Sequence, residues 1–394
     1  MNHKRELMEM PSEYKEGYGK ARLIDKEAAD NYIAHTRIGD EVVDALLEEL
    51  APLPQPKVHK FLQAGMQEDR AGLRSAPQSL RDFFIDAPQP DPDWLDLDAF
   101  APGIRAFQRN SVAILSAFVT GVLIDGFSTL ISKSFVQTGR IFDNGVWRLR
   151  QNNRHQLEIF WPGGLERQGD GWKLSVRIRL VHGQVRRLLK QTEEWDHDAW
   201  GVPLSAAHLG YAAACFAARS ITHSKSLGAR YSEEEQASFH AVWRYSAHLM
   251  GVPESILFTD ESHARHIYRI GSICEPPPTP DAIIMTNALI NSAPLVAGIE
   301  DARQRNRLVQ NVIYPVSRGL IGNHLADQLN FPANRYPFPL LWYRTDQHIQ
   351  KLKARFRKEG SKDFMTLLVA SAYNDAGLSY RLPAHARAEE SGDW

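Results

Sequence analysis

Cysteine is nearly missing from this chain. Cys215 and Cys274 are the only two in 394 residues and lie far apart. That excludes a disulfide framework and the paired-cysteine cluster of a structural zinc site, and it fits a reducing compartment. Phosphate-cradling loops are missing too. No Gly-x-Gly-x-x-Gly follows a strand pattern and no Walker A loop is present, which removes nucleotide binding as a default. His-Glu-x-x-His and Gly-x-Ser-x-Gly are absent, and with them the zinc-protease and serine-hydrolase readings. Neither charge sign is in excess. The 46 basic and 47 acidic side chains leave a net charge of −1, whereas a nucleic-acid binder would normally carry a basic surplus. Strand patterns are scarce, and no βαβ order, internal repeat or heptad seam is visible. The run from Met1 to Met10 has acidic residues close behind its basic ones and no apolar signal-peptide core. The expected location is the cytoplasm.

What the chain does have is apolar residues at helical spacing. Residues 1–25 are polar and read as a loose arm or a short surface helix, 26–383 as one helical domain, and 384–394 as a disordered tail. Ser111 to Ile131 is the most apolar long segment. Its uninterrupted part ends at Ile124, too short to span a bilayer, and Asp125 breaks any extension. The spacing predicts a buried core helix and no transmembrane span. Ser205 is the expected N-cap of an apolar helix from His208 to Ala218, and Ser232, followed by Glu233, Glu234 and Glu235, that of a helix to about Gly251. The basic run from Lys351 to Lys358 reads as a solvated face. His197 stands between Asp196 and Asp198, but neighbouring loop residues rarely converge on one ion. The fold class expected is all-α.

One stretch stands apart, Ser175 to Lys190. As a helix it places Ile178, His182, Val185 and Leu189 on one apolar face, with Arg179 and Arg186 flanking His182 a turn before and a turn after. Alternation over Val176, Ile178 and Leu180 offers a short strand as a rival for its first turns. Two readings of His182 compete. It is a core histidine bonded to a backbone carbonyl, with both arginines reaching solvent, or it is a functional group on an inward face. A solitary imidazole among apolar walls with cations nearby is also what a haem iron requires of a helix.

An ordered series of motifs surrounds this stretch: Ile38-Gly39-Asp40-Glu41-Val42-Val43-Asp44-Ala45, Thr138-Gly139-Arg140, Arg177 to Arg186, Trp195-Asp196, Trp200 to Leu204, and Trp243-Arg244-Tyr245 through His248 to Val252. Arg318 to Gly322 and Ala326-Asp327 extend it. The series resembles the family of latex-clearing protein (rubber oxygenase) and MpaB-type oxygenases, whose central pattern is Arg-x-Arg-x-x-His-x-x-Val-Arg. The resemblance covers most of residues 33–260. It implies an all-α fold with a globin-like core around a b-type haem and additional N- and C-terminal helices. It makes His182 the proximal iron ligand and sets Arg179 and Arg186 beside it, to neutralise propionates or orient neighbours. His248 belongs to the same matched set and is carried as a cofactor-binding residue.

On the distal side this chain departs from the rubber oxygenases. Their pocket takes Arg, Lys and Thr from a helix ahead of the histidine, and by spacing these fall on Arg148, Gln151 and Asn152. No match for their catalytic glutamate is found. Gln151 and Asn152 keep hydrogen-bond donors but cannot titrate. A surface-facing polar patch is the other reading of these three. The resemblance implies a haem-dependent oxygenase using dioxygen and an unnamed electron donor on a small, apolar, unsaturated substrate such as an isoprenoid, lipid or secondary metabolite. Polyisoprene is a poor candidate for a cytoplasmic enzyme. A non-catalytic helical protein that binds haem or lipid is the alternative, and a haem-free structural protein a third.

Overall fold

Several helix starts follow side chains that accept a hydrogen bond from the first turn. A computed structural model describes residues 10–137, 145–334, 337–356 and 382–383. In chain order its main helices are α1 (Lys15–Arg22), α2 (Lys26–His35), α3 (Glu41–Leu50), α4 (Gln55–Met66), α5 (Ala101–Ala117), α6 (Leu123–Phe127), α7 (Ile131–Val136) and α8 (Gly145–Ile159). They continue with α9 (Asp170–Lys190), α10 (Ala206–Ser226), α11 (Glu233–Leu249), α12 (Glu261–Cys274), α13 (Pro280–Val296), α14 (Tyr314–Ile321) and α15 (Pro339–Phe356). Asp25, Asp40, Ser205, Ser232, Asp260 and Thr279 each cap the helix that follows. At Ser232 the cap is reciprocal, because Glu235 also accepts from Ser232 N–H at 2.9 Å. No strand occurs among the described residues. The fold is all-α, and the rival strand at Val176 is a turn of the 21-residue helix α9.

Polar composition conceals a packed N-terminus. Residues 10–22, expected as part of a loose arm or a short surface helix, form a short turn and the helix α1, which is packed rather than superficial, with Tyr14 fully buried and Tyr18 8% exposed. Gly17 permits this packing: a Cβ there would collide with the carbonyl oxygens of Ile273 and Cys274 at the end of α12. The apolar segment expected from Ser111 begins earlier and is not one regular helix. Between α5 and α6 the chain widens over Phe118–Val122, where Leu123 N–H reaches back five residues to Phe118 O. The Ser128 and Thr129 hydroxyls then take up Asp125 O (2.8 Å) and Gly126 O (2.9 Å) and end α6. The stretch Asp98–Phe127 is long and apolar enough to cross a bilayer, and 78% of its most apolar window is buried inside this fold.

Two apolar clusters hold α9. On one side Val185 and Leu189 join the main core with α5, α6, α10, α11, α12 and α13. On the other, Trp172, Val176 and Leu180 pack with Val43, Leu46 and Leu47 of α3 and Phe61 and Leu62 of α4. At Gly183, directly after His182, α3 packs close against α9. A Cβ there would lie 2.5 Å from Val43 Cγ1 and 2.8 Å from Leu47 Cδ1. Asp125, the interrupting acid of the apolar run, is buried. Arg219 Nε (2.7 Å) and His223 Nε2 (2.8 Å) hold it, which ties α6 to α10. The motif Thr138-Gly139-Arg140, the tail 384–394 and the side chains of the basic run lie outside the described residues.

Candidate active site

A small cavity of about 110 Å³ opens where α6, α7, α8, α9 and α10 meet. Its walls are mainly apolar, with Phe127, Ile131, Phe135, Phe216 and Met250 among them. Among the described residues four polar side chains line it: Asn152 and His155 from α8, His182 from α9 and His208 from α10. Of the expected site residues, the structure thus brings together His182 and Asn152, both half-buried. Gln151 is half-buried on α8 but does not line the cavity. The side chain of Arg148 lies outside the described residues.

The two flanking arginines do not face the cavity, and the helix geometry gives the reason. At about 100° per residue, positions three before and four after His182 fall about 60° and 40° to one side of it, toward the face Gly183 opens to α3. There Arg179 gives Asp40 two hydrogen bonds, from Nε at 2.6 Å and Nη2 at 3.0 Å, and a third to Gln89 at 3.0 Å. Arg186 pairs with Asp44, Nε and Nη2 each 2.8 Å from Oδ1, and donates to Leu204 O at 3.1 Å. Both guanidiniums are buried and already matched to a carboxylate. They are clamps between α9 and α3, not open cations beside His182.

His248 is also placed elsewhere. Its ring stacks on Tyr245 (6.3 Å, 14°) and its Nδ1 lies 3.2 Å from Glu254 Oε1. It borders a separate, open groove shared with Asp40 and Arg179. Asp196, beside His197, caps a single helical turn through Asp198 N and Ala199 N. Among the described residues no cluster of three or more His, Cys, Asp or Glu side chains could hold a metal. A metal at His182 would therefore have to bring most of its ligands with it.

Sequence reasoning missed two histidines and an acid. Burial lowers the pKa of His155 from 6.5 to about 4, so its ring is neutral. Its Nε2 lies 3.0 Å from Ser175 Oγ and 3.3 Å from Ser246 Oγ. His208 is fully buried, with Nε2 2.8 Å from Tyr14 Oη and 3.4 Å from Glu275 Oε1. Glu275 accepts from Tyr32 Oη at 2.7 Å and from Leu130 N at 3.0 Å. Burial opposes its charge, yet His208, Tyr32 and the Leu130 amide outweigh that and hold the carboxyl below its ordinary value. The Tyr14 and Tyr32 phenols are pushed well above theirs, by burial first and then by the Glu275 charge, and remain donors. Ser205 set His208 in the first turn of α10, but Glu275 lies far along the chain, and nothing local links the two.

Comparison with known proteins agrees with this architecture. Residues 104–348 match the family described as ER-bound oxygenase mpaB/B'/Rubber oxygenase, catalytic domain. The chain is 23% identical over 306 residues to a rubber oxygenase of Streptomyces sp. (strain K30), covering 74% of this chain and 70% of that protein. Its fold resembles the solved closed state of latex clearing protein with a TM-score of 0.69 at 19% identity, over 88% of this chain and 94% of the other.

Proposed function

Because the chain belongs to the ER-bound oxygenase mpaB/B'/rubber oxygenase catalytic-domain family, we propose that it is a haem-b-dependent oxygenase acting on an apolar, unsaturated molecule, with His182 as the protein ligand to iron. The observation that carries this is a half-buried imidazole on the wall of an apolar cavity that offers no converging metal cluster among the described residues. A lone imidazole suits an iron whose other ligands come from a macrocycle. The donor set fits in kind. In size the cavity is tight: about 110 Å³ against the roughly 300–1,000 Å³ usual for ligand pockets, so side chains such as Phe127, Phe135 and Met250 must swing aside on loading. Arg179 and Arg186 are occupied by Asp40 and Asp44, so the propionates must be met by other groups.

Haem, when bound, supplies the redox chemistry that activates dioxygen. The chain's own residues do the rest. His182 would hold the iron through one ring nitrogen. Phe127, Ile131 and Phe216 exclude water and favour an apolar substrate. His155 stays uncharged at neutral pH, and Asn152 supplies an amide on the same wall. A second reading, a haem- or lipid-binding protein without turnover, draws on the absence of Lys, Arg, Asp and Glu from the described lining. Oxygen uptake with a reductant and candidate alkenes separates the two.

The test of the first reading is an ultraviolet–visible spectrum, oxidised and dithionite-reduced, of protein expressed with haem supply. Wild type should show a Soret band and His182→Ala should lose or shift it. Wild-type protein with no Soret absorbance ends the proposal.

A further inference from the structure

The helix α15, far from the cavity in sequence, turns its larger apolar side chains away from the core. Its inward contacts are few. Leu340 and Tyr343 meet Val316 and Leu320 of α14 and Ala117 of α5, and Tyr343 Oη donates to Ser116 Oγ at 3.1 Å. At about 100° per residue, Leu341, Trp342, Thr345 and Ile349 share an arc of about 100° on the side opposite Leu340 and Tyr343. All four are exposed, Leu341 by 62%, Trp342 by 53% and Ile349 by 42%, and Phe338, just ahead of the helix, by 75%. Of the twelve large apolar side chains exposed among the described residues, four thus fall within residues 338–349. Single exposed apolar residues are ordinary, whereas a stripe of them marks a surface that meets something.

The charge of this helix says what is met. From Leu341 to Phe356 it carries Arg344, Lys351, Lys353 and Arg355 against Asp346 alone, a balance of +3 (four minus one, His neutral), in a chain whose net charge is −1. We propose that α15 docks this protein on an anionic phospholipid bilayer, lying in the plane of the interface with Leu341, Trp342 and Ile349 at the acyl boundary and its cations among the lipid phosphates. Leu and Trp on one face with Lys and Arg on the same helix is the composition of a helix that lies on a membrane without crossing it. A protein partner is disfavoured by the same residues, because lysine is depleted in protein interfaces. Each cation near an anionic leaflet adds attraction that salt screens, and the apolar stripe adds a part that salt leaves in place. The docking surface stands without the haem reading. Were the substrate apolar, as proposed above, it would be met in the same lipid.

The test is sedimentation of the purified full-length protein with sucrose-loaded vesicles, of phosphatidylcholine alone or mixed with phosphatidylserine at roughly 7:3. The anionic vesicles should carry the protein down and the neutral ones far less, and salt at about 0.5 M should weaken the binding severalfold. Leu341→Ser combined with Trp342→Ser should lower the affinity roughly tenfold or more. Leu23→Ser, at a residue 89% exposed outside this stripe, should leave it unchanged. A second measurement does not depend on those variants. Cys215 and Cys274 are both buried, so a thiol-reactive nitrobenzoxadiazole dye can be placed selectively on the Thr345→Cys variant, within the stripe. Its emission should rise on anionic vesicles. The proposal is overturned if wild type stays in solution with anionic vesicles, if the dye does not respond, or if Leu23→Ser weakens binding as much as the stripe variant. A wild-type dimer that the stripe variant makes monomeric, with no vesicle binding, assigns the stripe to a second copy of this chain and equally ends it. Binding is read without turnover, so failure here leaves the haem reading where it was.

Discussion

Replacing Asp40 by alanine should cost about 3–5 kcal/mol of folding stability, the range seen when one partner of a buried ion pair is removed. Asp40 and Arg179 have side chains only 6% and 10% exposed, so the guanidinium left behind cannot recover its hydration. It would keep its bond to Gln89 (3.0 Å) but lose both bonds to the carboxylate. Asp40 also caps α3 through Val43 N at 3.2 Å, a contribution of about 1 kcal/mol within the same total. Gly251 adds to the penalty for rearrangement. Its φ of +83° and missing side chain are what let the pair sit against it, since a Cβ there would touch Asp40 Oδ2 and Arg179 Nε. The assay is urea unfolding of wild type, Asp40→Ala, Arg179→Met and the double variant. The double variant, which leaves no buried charge, should be less destabilised than the sum of the singles by about 1–3 kcal/mol. On the proposed haem reading, Arg179→Met should retain the Soret band of wild type. Single losses below about 1 kcal/mol, or haem lost from Arg179→Met at unchanged stability, would refute the clamp and return this arginine to the cofactor.

Other expectations follow from burial. His155 is neutral in the fold because burial lowers its pKa from 6.5 to about 4, so the unfolded chain binds the extra proton first. Its contribution is fully present above pH 6.5 and is lost as pH falls toward about 4, at most about 3 kcal/mol. His155→Phe should flatten that part of a stability–pH curve; an unchanged slope counts against it. Gly17→Ala should destabilise by about 2–3 kcal/mol, because backbone carbonyls of Ile273 and Cys274 cannot yield as side chains do. A raised or unchanged melting temperature would contradict this, since alanine is otherwise favoured in a helix by about 1 kcal/mol. Asp125→Asn should cost about 3 kcal/mol by leaving Arg219 without its counter-ion; a loss under about 1 kcal/mol in urea unfolding would show that the amide suffices.

What was legible in the sequence was local. Ser205 and Ser232 announced their helices because a cap acts on residues within one turn. His182 was placed on an inward face by periodicity, and it lines the cavity. Long-range pairing was not legible. The motif around Asp40 and Asp44 and the motif around Arg179 and Arg186 were both visible, yet their union spans some 140 residues, as the separations of 139 and 142 show. The wide turn at Phe118–Val122 left no trace because every residue in it is as buried as its neighbours. The packed N-terminus was hidden by its charged residues, since two tyrosines and an alanine are enough to seat α1.

The double clamp on α9 has a further consequence. Its two ion pairs are seven residues apart, about two turns or 10.5 Å along the axis. A helix gripped at two points can neither roll nor slide without breaking one of them. The placement of the helix that carries His182 is therefore set from outside the cavity, by α3, while most of the cavity's wall comes from α6, α7, α8 and α10. The two properties rest on separate residues. Side chains such as Phe127, Phe135 or Phe216 are free to drift and alter what is admitted, with the imidazole left where it was. A scaffold divided in this way can change its diet without rebuilding its tool.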